Sequence, residues 1–202
     1  MMLEPRPNLG SFIRFANATE RARGTALRLI RTQSVAEYSP VTDYWKRMRD
    51  ATKKDRRTTR DGSTVFATAA NATQSKQAGF SLVARRWAEI IPRWEFSLYE
   101  APVATVANIN GLEVAVNPRF IEVDANGVRE RAFVYFNATV LSAATIAVAL
   151  RVIEIAYPDD HAIPTLIDVQ RSKLHTPRSG SRMRIDDQLN LLSEEFLTRW
   201  AA

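Results

Sequence analysis

Residues able to neutralise a polyanion are gathered in two places along the chain. From Lys46 to Arg60 there are eight bases, Lys46, Arg47, Arg49, Lys53, Lys54, Arg56, Arg57 and Arg60, against Asp50 and Asp55, a net charge of +6. From Arg171 to Arg184 there are Arg171, Lys173, Arg178, Arg182 and Arg184 with no acid, a net charge of +5. The whole chain also nets +6, with a pI near 10, so everything outside the two stretches is acidic, by −5. Charge polarised in this way steers toward an acidic partner, and a phosphate backbone is the expected one. Anionic lipid is the competing polyanion, but the first stretch lacks the interleaved Trp, Phe and Leu of an interfacial helix.

Groups for covalent or metal chemistry are few. The chain has no cysteine, which excludes disulfides, thiolate zinc sites, iron–sulfur clusters and cysteine nucleophiles. The two histidines, His161 and His175, stand outside H-E-x-x-H and every other ligand spacing. His161 follows Asp159-Asp160, a pair whose natural place is a turn. Seven scattered glycines cannot compose a Walker loop, a dinucleotide fingerprint or a G-x-S-x-G elbow.

The elements that must carry these residues begin as helices. Phe12, Phe15, Ala22, Ala26, Leu29 and Ile30 recur at helical spacing from a Ser11 cap to about Arg31. A second helix is predicted from Ser39-Pro40, pinned by Val41, Tyr44, Trp45 and Met48, with its later bases on a neighbouring face. A third helical region, Val65 to about Ile91, is interrupted near Gly79 and ended by Pro92.

After Ala101-Pro102 the period changes to that of strands. Leu112 to Val116, Phe120 to Val123 and Ala132 to Phe136 read as a three-stranded meander, with Asn126-Gly127 as a hairpin turn. Leu141 to Ala156, apolar on nearly every side, reads as a buried helix. Thr165 to Gln170 reads as a further strand, and Ile185, Leu189, Leu192, Phe196 and Trp200 as a closing amphipathic helix. In the third strand both faces are apolar. Phe133 and Tyr135 on one side, Val134 and Phe136 on the other, therefore predict a central strand covered twice. The expected fold is α+β: a helical N-terminal half, the meander, the buried helix, a further strand and a C-terminal helix, with a mixed sheet. No linker divides the 202 residues, so a single domain is expected, mainly helical over 1–95 and sheet-containing over 96–202.

A helix, a three-stranded meander, a helix and a further strand resembles the core of the restriction-endonuclease-like PD-(D/E)xK superfamily, over about Trp87 to Thr176. That resemblance implies acids on the second and third strands holding magnesium, and a lysine two positions on assisting the attacking water. The chain departs from the signature. The residues two positions before its five lysines are Tyr44, Ala51, Thr52, Gln74 and Arg171, none of them acidic. Glu122 and Asp124 flank the hairpin turn as candidate cation ligands. Pro158-Asp159 followed by Asp168-Val169-Gln170 copies the spacing with glutamine in place of lysine.

Met1 to Pro7 has no apolar core of the kind a leader needs, and the run Ala138 to Leu150 is too short to span a bilayer. A cytoplasmic protein that makes no membrane contact is expected. The three Asn-Ala-Thr sequons at Asn17, Asn71 and Asn137 then read as helix caps or turns. The functional expectation is nucleic-acid binding through both basic stretches, on a nuclease-like fold without catalysis and without a cofactor. One alternative is a magnesium-dependent nuclease using Glu122/Asp124 or Asp159/Asp168/Gln170. Another is an interaction module whose basic helix docks on an acidic protein partner.

Overall fold

The structure is a computed structural model, and it describes residues 5–35, 43–158, 160–178 and 182–202. Among the described residues five helices precede the first strand: α1 Leu9–Asn17, α2 Glu20–Val35, α3 Lys46–Arg57, α4 Ser63–Ala70 and α5 Gln74–Ile90. A 3-10 turn, Ile91–Trp94, leads into the strands β1 Leu98–Glu100, β2 Thr105–Ile109, β3 Leu112–Val116, β4 Phe120–Val123 and β5 Arg129–Tyr135. Then come α6 Ala143–Ala156, β6 Ile163–Asp168, a short 3-10 turn, β7 Lys173–His175 and α7 Arg182–Ala201. The fold is α+β with a helical N-terminal half and a mixed sheet. Among the described residues no helix is long and apolar enough to cross a membrane.

Three helix boundaries differ from the sequence reading, each for a local reason. The cap of α1 is Asn8, whose side chain accepts from the Ser11 amide at 2.9 Å, so the helix starts earlier than Ser11. Its continuation to Arg31 is broken at Ala18, whose backbone is extended. Asn17 just before it is held by α6: it accepts from the Ser142 amide and the Thr145 hydroxyl, each at 3.0 Å. The third helical region breaks at Asn71, which caps α4, and not at Gly79, which lies inside α5. Gly79 has another use. A Cβ there would stand 2.7 Å from the Tyr44 hydroxyl and 3.5 Å from the Trp45 ring, so the missing side chain admits the residues leading into α3. The expected helix start at Ser39-Pro40 and Val41 lies outside the described residues.

The meander is corrected. β3 pairs with β2, in a separate two-stranded sheet, and not with β4. The cause is a second Asn-Gly turn: Asn110 (φ 49°) and Gly111 (φ 86°) both take the left-handed conformation that a two-residue hairpin needs. The five-stranded sheet has the order β1-β4-β5-β6-β7, antiparallel throughout except for β5 beside β6. That parallel pair is joined across α6, as parallel strands require. The expected strand to Gln170 stops at Asp168, because Val169–Arg171 turns as 3-10.

β5 is central and covered on both faces. Tyr135 and Phe133 pack into one core with α1, α2, α6, α7 and the β2–β3 hairpin, while Ala132, Val134 and Phe136 pack into another with α3, α4 and α5. α6 is buried as its composition predicts: Val148, Ala149, Val152 and Ile153 are almost inaccessible. Burying a Val, Leu or Ile side chain contributes about 1.5–3 kcal/mol, so this helix anchors its side of the sheet.

Candidate functional site

The twelve residues of α3 divide cleanly by angle. Met48, Ala51, Thr52 and Asp55 are buried against α4 and α5. Lys46, Arg47, Asp50, Lys53, Lys54 and Arg57 lie together on the opposite arc, as steps of three and four dictate. On that arc Lys46 pairs with Asp50 at 2.5 Å. Arg47, Lys53, Lys54 and Arg57 are exposed and meet no carboxylate among the described residues.

Arg56 does not belong to that surface, and its assignment as a nucleic-acid contact is corrected. Its side chain is fully buried, with Nε donating to Glu122 Oε1 at 2.8 Å and Nη2 to the Trp94 carbonyl at 3.1 Å. Arg60 reaches the same carboxylate, donating to Glu122 Oε2 at 3.0 Å, and also to the Ser97 carbonyl at 2.6 Å. A buried guanidinium is tolerable only when its charge and donors are matched, and Glu122 supplies the match. Arg49 is likewise tied, to Asp43. Asp55 faces inward and accepts from Trp87 Nε1 at 3.0 Å and from the Gly62 amide at 2.8 Å. So the stretch that reads as uniformly basic holds an outer cationic ridge and an inner ionic staple.

The second stretch lies elsewhere. The end of α3 is beside β1: burial pushes the Tyr99 phenol up, and the charge of nearby Arg57 pulls against it. Lys173 is on β7, the other edge of the five-stranded sheet. The near ends of the two stretches do approach, where Trp45 packs on Phe136 with ring centroids 5.8 Å apart and Arg171 donates to the Ala138 carbonyl. There, however, the cations are matched by acids: Lys46 by Asp50, Arg49 by Asp43, and Arg171 by Asp168 at 3.0 Å. Arg182 pairs with Glu154 at 2.5 Å, and Arg184, though exposed, also has a partner. Lys173 and Arg178 are exposed with no carboxylate among the described residues. Arg57, beside β1, and Lys173, on β7, thus belong to opposite edges of the sheet.

The residues proposed as metal ligands are otherwise engaged. Both oxygens of Glu122 are taken by guanidinium groups. Asp124 shapes the hairpin turn, accepting from the amides of Asn126 at 2.8 Å and Val128 at 2.9 Å. Asp168 is buried against Arg171, and Gln170 donates to the Phe136 carbonyl at 2.8 Å. Asp159 lies outside the described residues. Among those described, no group of three metal-ligating side chains comes together.

Two features escaped the sequence reading. Phe96 is 84% exposed, between Trp94 and Ser97, whose carbonyls both bind Arg60. No periodicity marks a single aromatic in a loop. The other is a cavity of about 870 Å³ between α6, β7 and the start of α7, assembled from segments distant in sequence. Comparison of the chain with protein-family models, with curated proteins and with solved structures finds no match to any of the three.

Proposed function

We propose that the protein binds nucleic acid along the outward face of α3, with Arg47, Lys53, Lys54 and Arg57 as the phosphate contacts. The observation that carries this reading is the ridge itself: four exposed cations on one arc, none of them paired with a carboxylate among the described residues, the arc's one acid, Asp50, being held by Lys46. Arg47 and Arg57 are ten helical steps apart, about 15 Å, a length over which a nucleic-acid strand presents several phosphates. The rigid attachment of α3 supports the reading too. Its inner face is fixed by Asp55, Arg56 and the apolar core, so the ridge is presented without ordering a flexible arm.

Binding of this kind is electrostatic and sequence-tolerant. Fluorescence anisotropy with a labelled 20-nucleotide single strand and with its duplex tests it. Affinity should fall with salt at a log–log slope of about −0.9 per phosphate neutralised on the duplex and about −0.7 on the single strand, hence about −3.6 and about −2.8 for four contacts. Replacing Arg47, Lys53, Lys54 and Arg57 by glutamate should abolish binding while the circular dichroism spectrum is unchanged. Wild-type affinity in that folded variant would sink the proposal.

A further inference from the structure

The nucleic-acid reading leaves the second basic stretch unused, and its surroundings are those of a small-molecule site. The cavity of about 870 Å³ is walled on one side by Leu141, Ile146 and Leu150 of the α6 region and on another by Leu174 of β7. Its volume is within the range of about 300–1,000 Å³ typical of small-ligand sites. Several charged side chains line it, and most are satisfied internally. Arg151 binds Asp186 at 2.6 Å and Glu154 at 2.8 Å, Glu154 also binds Arg182, and Asp168 binds Arg171. The exceptions are Lys173 and Arg178, which line the same cavity without an acid among the described residues. An apolar wall facing two unmatched cations has a definite chemical complement.

We propose that this cavity binds an amphipathic anion, a carboxylate or a phosphate monoester carried on a hydrocarbon body. The body would occupy the space beside Leu141, Ile146, Leu150 and Leu174, removing apolar surface from water at about 25 cal/mol per Å². The head would sit between Lys173 and Arg178, each able to make a charge-assisted hydrogen bond to an oxyanion. A neutral or cationic head on the same body lacks this second set of interactions. The cavity's lining includes no residue of α3, whose last base, Arg57, lies beside β1 at the opposite edge of the sheet.

The test uses 8-anilinonaphthalene-1-sulfonate, itself an aromatic anion, as the fluorescent probe on the full chain. One saturable site per chain is expected. Dodecanoate or dodecyl phosphate should displace the probe, and whichever is the more potent identifies the head group. Dodecan-1-ol and dodecyltrimethylammonium should be at least about tenfold weaker, since a lost charge-assisted contact costs about 1.5–3 kcal/mol. Ala147→Trp, which fills the cavity from α6, should abolish saturable binding. Because a large side chain there can disturb folding, Lys173→Glu with Arg178→Glu is the second variant, changing only exposed residues. It too should lose dodecanoate and dodecyl phosphate. Equal displacement by the cationic amphiphile would overturn the proposal, as would absence of a saturable site. Wild-type binding of the anions in the folded Lys173→Glu/Arg178→Glu variant would do the same.

Discussion

Along α3 the bases are sorted by helical angle, whereas from Arg171 to Arg184 they are sorted by which acid stands across a cavity. The first arrangement is geometric. A helix repeats every 3.6 residues, so a run of bases long enough to go round it must send some of them inward. Arg56 goes inward and meets Glu122; Arg47, Lys53, Lys54 and Arg57 go outward and meet solvent. The second arrangement follows from an edge strand, a turn and a helix start, none of which imposes a period. Its cations find partners one at a time, Arg182 on α6 and Arg171 at the end of β6. What remains is a ridge in one region and a lined hollow in the other. Similar charge in the sequence therefore gives an extended surface in one place and a concave one in the other.

The sharpest way to break this comparison is to treat inner and outer bases of α3 alike. Arg56→Met should cost about 3–5 kcal/mol, because it leaves the buried Glu122 carboxylate with only the partly buried Arg60 and the Ser97 hydroxyl, both on Oε2, and Oε1 without its guanidinium. Lys54→Met, two positions away and exposed, should change stability by no more than about 0.5 kcal/mol. Urea denaturation of both variants measures the difference. Similar midpoints would mean that the ionic staple adds nothing, and that α3 is held by its apolar residues alone.

Nucleic-acid affinity should separate the two regions next. The fourfold glutamate variant of the α3 ridge is expected to lose about a hundredfold or more at low salt, since every phosphate contact is reversed. Lys173→Glu with Arg178→Glu should stay within about threefold of wild type, as only long-range charge changes, and salt screens that within about 10 Å. Anisotropy titrations at two salt concentrations check both. A large loss from the β7 pair would join the two stretches into one binding surface. Phe96→Ser refines the α3 side. If a base stacks on that ring, single-strand affinity falls by about 1–3 kcal/mol while duplex affinity holds.

Much of the fold was legible because its signals are local. β4 begins and ends where alternation and the Asn126-Gly127 turn put it; β5 shows two apolar faces over Ala132–Tyr135, though it starts earlier than Ala132, at Arg129, and ends one residue before Phe136. The pairing of β3 is less legible, because Asn110-Gly111 and Asn126-Gly127 are equally local turn signals and alternation alone does not say which one β3 joins. β1 and β7 have three residues each, too few for any period to register. The site was less legible for a different reason. Arg56 and Glu122 are sixty-six positions apart, so nothing near either one announces that the two will be buried together. A charge run shows how many bases there are; only the packing of α3 on the sheet shows which face water.

The smallest effect expected is a titration, and it belongs to the β7 region, where His175 stands; α3 contains no histidine. Burial pushes the His175 imidazole below its ordinary value; Asp168 opposes this, and Lys173 and Arg178 add to it by repulsion. A histidine held below its unfolded value binds its proton less readily when folded. Stability is therefore fully present above about pH 6.5, the unfolded value, and declines as pH falls from there through the folded value. Proton NMR of the imidazole should find His175 titrating below 6.5 in the wild type. In Lys173→Glu/Arg178→Glu the midpoint should rise, because two repelling cations become attracting carboxylates. His175→Gln should remove that share of the acid-side loss of stability, and the α3 glutamate variant should leave the His175 midpoint where it was. A midpoint that moves with the α3 charges instead would show the two edges of the sheet to be electrostatically coupled after all.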